Sequence, residues 1–162
     1  MKNDIMNIEL PLSVKLLFQN KQLDILSLLC MLSCFSKKRK GITLEEIAFY
    51  YSIATSDAEL FFEGEVWNIN DTNAKVEVDA NLMLIKDRIK EFIIILTNLK
   101  YIDFEFVDEQ VHIKINKYGI DLVNSLDSDY FNNIIEKTNI VREHIRFNKT
   151  NEKRIEQGVV RI

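Results

Sequence analysis

A mainly α-helical fold with one small β-hairpin is what the sequence predicts, and three observations carry that reading. Four glycines and one proline in 162 residues leave little turn chemistry, so most of the chain must run in helices. Apolar residues recur at helical spacing through residues 23–35 and again through residues 82–99. Between residues 100 and 119 the period drops to two: Ile102, Phe104 and Phe106 alternate with polar neighbours, and Val111, Ile113 and Ile115 do the same beyond a short acidic tip. A chain of this length suits one domain with appended elements, and 47% hydrophobic with 28% charged residues is ordinary globular composition that gives no reason to expect disorder.

The elements follow in order. Residues 1–20 read as an N-terminal arm, with an extended piece, NIELPL, in which Pro11 stops any helix begun earlier. The arm's apolar residues need cover from the core or from another subunit. Residues 21–126 form the main domain. Its first helix sets Ile25, Leu28, Leu29, Leu32 and Phe35 on a stripe that Leu26, Cys30 and Met31 widen, which predicts a central helix covered on more than one side. The run KKRKG closes it, since cations favour a helix C-terminus and glycine supplies the left-handed turn. Thr43 and Glu46 then stand at capping-box spacing before a second helix with Ile47, Tyr50 and Tyr51 on one side.

Residues 55–80 change character: Asp57, Glu59, Glu63, Glu65, Asp71, Glu77 and Asp79 stand against the single Lys75. This acidic insertion carries Phe61, Phe62 and Trp67, and Val76 and Val78 alternate in AKVEVDA, so a small hairpin fits there. A helix-turn-helix ordinarily joins these two helices with a few residues, so the insertion is a departure for the function to explain. The third helix keeps Leu82, Ile85, Ile89, Phe92, Ile93, Leu96 and Leu99 on one side, and the hairpin at 101–115 should pack all six of its apolar residues on the helices. Helix, turn, helix, insertion, helix and hairpin in this order make a winged helix-turn-helix domain. A long C-terminal helix, residues 127–148, follows with Tyr130, Phe131, Ile134, Ile135, Val141 and Ile145, and the tail, residues 149–162, suits either a flexible end or a strand added to a neighbour.

Chemistry is hard to seat in this chain. No phosphate-binding loop, dinucleotide fingerprint or nucleophile elbow occurs; His112 and His144 stand away from ligand spacing with the cysteines; and Cys30 and Cys34, four apart in an apolar helix, read as small buried apolar residues. The expectation is a non-enzymatic protein without catalytic residues, metal or cofactor. The N-terminus lacks the pattern of a signal peptide and no apolar run approaches a membrane span, so a cytoplasmic protein without a membrane partner is expected.

A net charge of −4 argues against nucleic-acid binding over the whole surface. The third helix would offer DNA Lys86, Arg88 and Lys90 together with Asp87 and Glu91. The wing would set Asp103, Glu105, Asp108 and Glu109 near phosphates, where carboxylates oppose the counterion release that drives such binding. Basic residues gather instead at Lys37, Lys38, Arg39 and Lys40 and at Arg142, Arg146, Lys149, Lys153 and Arg154. Any contact there would be to phosphates, without sequence readout.

The helix LDILSLLCMLSCF, the capped helix TLEEIAFYY, the acidic insertion, the helix LMLIKDRIKEFIIILTNLKYI and the wing closing in KYGIDLVNSL resemble, over residues 20–126, the winged-helix middle components of bacterial ABC-three-component systems, the Lamassu-like anti-phage defence operons. The resemblance implies an accessory subunit that binds an SMC-like or Rad50-like ATPase and couples DNA sensing to an effector subunit, with no catalytic residue to carry over. It would make Phe61, Phe62, Trp67, Asp103, Glu105, Asp108 and Glu109 partner-binding residues, the carboxylates meeting a basic ATPase face. Since related subunits often pair as dimers, it would also make the arm an interface. The alternative is a winged-helix DNA-binding transcriptional regulator, dimeric through residues 128–147, with Lys86 and Lys90 at the operator.

Overall fold

The computed structural model describes residues 12–55 and 82–156, which are mainly helical with a small antiparallel sheet. Most of the arm, the acidic insertion with Phe61, Phe62 and Trp67, and the VVRI end lie outside the described residues.

The first helix, α1 (Leu12–Ser33), begins directly after Pro11 in the sequence, so nine residues assigned above to the arm are helical. A proline disfavours the helical conformation for the residue before it and is compatible with a helix after it, so Pro11 ends an earlier helix but gives no reason to carry the arm beyond it. Every residue from Ser27 to Leu32 is buried, so this segment has no outward face. The widened stripe requires that, and the cover comes from α2 (Leu44–Ala54), α3 (Leu82–Asn98), α4 (Lys117–Ser125) and α5 (Asp129–His144), all of which pack on α1.

After α1 the chain turns through Lys37–Lys40 to Gly41, held by Lys38 N–H on Phe35 O at 2.9 Å and Gly41 N–H on Lys38 O at 3.1 Å. Gly41 has φ +75°, and a Cβ there would stand 2.4 Å from the Ile113 carbonyl oxygen. The chain must come this close because the next two residues, β1 (Ile42–Thr43), pair with the central strand of the sheet. Two residues carry no period, which is why β1 left no mark in the sequence reading. Thr43 then caps α2 as expected: its hydroxyl accepts from Glu46 N–H at 3.3 Å, and the Glu46 carboxylate accepts from Thr43 N–H at 3.0 Å.

The hairpin is β2 (Ile102–Val107) and β3 (Gln110–Ile115), and the strand order is β1-β3-β2. Of the six apolar residues expected in the core, only Ile102, Ile113 and Ile115 are buried; Phe104, Phe106 and Val111 face water. A six-residue strand is roughly 20 Å long and a helix about 10 Å across, so the outer half of the ribbon overhangs its support. Leu99 is likewise exposed, because α3 stops at Asn98 in a Schellman-type turn: Lys100 takes φ +61°, its N–H reaches Thr97 O, and Tyr101 N–H reaches Leu96 O, both at 3.0 Å.

The C-terminal region is two helices rather than one. In α5, Phe131, Ile134, Thr138 and Val141 are buried, and the helix packs on α1 and α2, so the stripe that the alternative reading gave to a dimer is covered within the chain. The backbone turns extended at Ile145, and α6 (Lys149–Glu156) replaces the flexible or strand-forming tail expected there. Asn148 starts it by accepting from Asn151 N–H at 2.8 Å, and Glu152 ties it to Lys86 of α3 at 3.0 Å. No helix among the described residues is long and apolar enough to cross a membrane.

Two outcomes test this packing. Gly41→Ala should destabilise the protein by about 2 kcal/mol or more, since the new methyl meets both a left-handed backbone and a carbonyl oxygen; chemical denaturation measures it. Asp24 pairs with Arg88 at 2.6 Å, yet burial pushes its carboxyl above the usual range more strongly than the guanidinium pulls it down. A raised folded-state value means that ionising Asp24 costs stability as pH rises through it. Asp24→Asn should therefore match or exceed the parent in Tm at neutral pH, with the gap closing below about pH 4; a clear loss at pH 7 would show that the ion pair dominates.

Candidate protein-interaction surface

The register of the ribbon sorts its side chains. Ile102 stands opposite Ile115, Phe104 opposite Ile113 and Phe106 opposite Val111, so one face of the hairpin is apolar along its full length. At the base that face is sealed against the helices. Towards the tip it carries on into solvent, leaving Phe104 59% and Phe106 72% exposed, with Val111 beside them. Three neighbouring apolar side chains in water are unusual for a monomer surface, and two of them are aromatic.

The opposite face is polar. Asp103 stands opposite Lys114 and Glu105 opposite His112, which is also opposite Thr43 of β1. Asp103 further accepts from the Asn116 amide at 3.4 Å, and His112 Nδ1 is buried without a hydrogen-bond partner among the described residues. Asp108 and Glu109 form the two-residue loop between Val107 and Gln110, with φ of +51° and +64°. Both residues positive is the type I′ pattern, which suits Asn-Gly and is costly for glutamate. The four carboxylates named from sequence therefore form no single patch. Two carry cross-strand partners on the polar face, and two stand at the tip, beyond the aromatic pair.

An open groove of about 510 Å³ runs beside the ribbon's base, lined by Thr97, Lys100, Phe104, Lys117 and Tyr118 among others. Tyr118 is 70% exposed, so the groove extends the aromatic surface from the hairpin to α4. Asn116 fixes the wall between them, accepting from Gly119 N–H at 3.1 Å and donating to Lys100 O at 2.9 Å.

The basic residues divide. Those of α3 are engaged: Lys86 with Glu152 at 3.0 Å, Arg88 with Asp24, Lys90 with Asp87 at 3.3 Å, while Glu91 holds Lys21 of α1. Arg142 is half-buried, donates to the Cys34 carbonyl and lies 5.8 Å over the Phe35 ring. Lys37, Lys38, Arg39, Lys40 and Arg146 are exposed. The cysteines are packing residues: burial pushes the Cys30 thiol up to about 12 and raises Cys34, which donates to Ile135 O at 3.7 Å. Among the described residues no group of three His, Cys, Asp or Glu side chains stands together as a metal site.

Sequence reasoning named the hairpin's carboxylates and placed all six of its apolar residues in the core, because alternation looks the same above a core and beyond its edge. Strand length was the available signal, since six residues exceed the width of a supporting helix. Compared with known proteins, the chain matches no family model, and no curated protein or solved structure matches it either.

Glu109→Gly should stabilise the protein by about 1 kcal/mol by relieving the left-handed backbone at the tip, read as a shift of the denaturation midpoint at unchanged slope.

Proposed function

We propose that the chain is a non-enzymatic adaptor subunit of winged-helix type that grips a partner protein with its wing. The observation that carries this reading is the apolar face of the hairpin, continuous with the core at Ile113 and Ile115 and open to water at Phe104, Phe106 and Val111. Exposed aromatic side chains on a hydrogen-bonded ribbon are what an interface centre requires, and the tip carboxylates supply a polar rim that favours a basic partner. The element order and the β1-β3-β2 sheet support the winged-helix assignment.

The resemblance to the middle components of ABC-three-component defence operons gives the partner its class: an SMC-like or Rad50-like ATPase, coupled through this subunit to an effector in bacterial anti-phage defence. The competing reading, a DNA-binding regulator, has less support. The cations of its recognition helix are held in ion pairs, Lys86 beneath α6, and the stripe it would use for dimerisation is spent on α1 and α2.

The test is co-expression with an SMC-like or Rad50-like ATPase of such an operon. Phe104→Ser with Phe106→Ser should weaken the complex roughly tenfold or more, because truncating aromatic centres costs more than about 1.4 kcal/mol. Asp108→Lys with Glu109→Lys should weaken it less and mainly slow association, as rim charges do. Unchanged affinity in the double serine variant would overturn the reading.

A further inference from the structure

The basic run Lys37–Lys40 and the arginines at the end of α5, Arg142 and Arg146, lie far apart in sequence and come to the same part of α2. Arg142 of α5 reaches the Cys34 carbonyl and the Phe35 ring at the end of α1. The Phe35 ring lies 5.0 Å from the Tyr50 ring, and the Tyr50 hydroxyl donates to Ile145 O and accepts from Phe147 N–H, both at 3.2 Å. Lys38 pairs with Glu46 of α2 at 2.7 Å. The charges of Glu46, Arg142 and Arg146 all bear on the Tyr50 hydroxyl, which burial raises above the usual phenol range. The turn at Lys37–Lys40 and the end of α5 therefore flank the same part of α2.

The cations on this face have different duties. Arg142 is committed to the packing and Lys38 is partly neutralised by Glu46, which leaves Lys37, Arg39, Lys40 and Arg146 exposed and without an ion pair among the described residues. The turn that presents three of them is held by its own backbone hydrogen bonds and by the close seat of Gly41 on β3. Glu45 and Glu143, exposed on α2 and α5, are the nearest free carboxylates in sequence.

We infer that this face binds the phosphate backbone of duplex nucleic acid without reading its sequence. Phosphate pairing is the chemistry that its composition leaves. The apolar residues around it, Phe35, Ile42, Tyr50 and Ile145, are buried, so none is placed to enter a lipid interface or to stack on an unpaired base. A protein partner would need a desolvated apolar centre, which this face lacks and the wing has. Contacts to phosphate need only fixed positive charge, and they position a duplex without specifying it. The face shares none of these cations with the wing, so the inference stands or falls apart from the proposed function.

The test uses the full chain and two labelled duplexes of unrelated sequence, titrated between about 50 and about 200 mM KCl. Four phosphate contacts give an expected slope of log K against log salt of roughly −3.6, with equal affinity for both sequences. The triple variant Lys37→Ala, Arg39→Ala, Lys40→Ala keeps Lys38, Arg142 and the packing, and should lose roughly tenfold or more in affinity with a slope near −1. Phe104→Ser with Phe106→Ser should bind DNA as the parent does. The inference is overturned by absence of binding at the lowest salt, by sequence-dependent binding that Lys86→Ala abolishes, by unchanged affinity in the triple variant, or by tighter binding to anionic vesicles or polyglutamate than to the duplex.

Discussion

The burial of the second half of α1 is the constraint on which the rest depends. From Ser27 to Leu32 no side chain reaches water, so four other helices and the sheet must each give up a face to cover it. That demand explains the folding back of α5. Its buried residues, Phe131, Ile134 and Val141, complete the shell around α1 and α2. A helix consumed in this way is not available as a seam between subunits, and the surfaces proposed for partners lie elsewhere.

Elsewhere means the two places where the shell is left behind. The ribbon outgrows its support, and the same alternation that buries Ile113 and Ile115 carries Phe104 and Phe106 into solvent. The turn after α1 does the opposite: its backbone is pinned, through Gly41, against β3, while its four side chains all point outward and all are cationic. One surface is apolar with acidic residues at its margin, and the other is basic with its apolar neighbours sunk in the core. Their chemistries scarcely overlap, which is the physical ground for giving them different partners.

Much of this was legible in the sequence where periodicity was long. The third helix and the hairpin appear where the pattern places them, and the Thr43–Glu46 capping box forms. Short or polar elements were not legible. The strand at Ile42 and Thr43 exists because β3 offers it an edge, and α6, which has hardly any apolar face, depends on Asn148 and on Lys86 of a remote helix. At the hairpin the acidic tip could be read, but the border between core and overhang could not, because it is set by where the helices stop. Nor could the approach of Arg142 and Arg146 to the turn at Lys37–Lys40, which follows from the path of α5 over α1 and α2.

The Tyr50 phenol sits where the chain leaves α5 in extended backbone, with its single oxygen joined to Ile145 O and to Phe147 N–H. It works as a buckle. Since α6 follows that stretch and reaches Lys86 on α3, the C-terminal segment is fastened to the body at two remote points, one a neutral oxygen in the interior and the other a partly buried ion pair. Salt screens a partly buried pair far less than an exposed one, so this end of the molecule stays fastened as ionic strength rises.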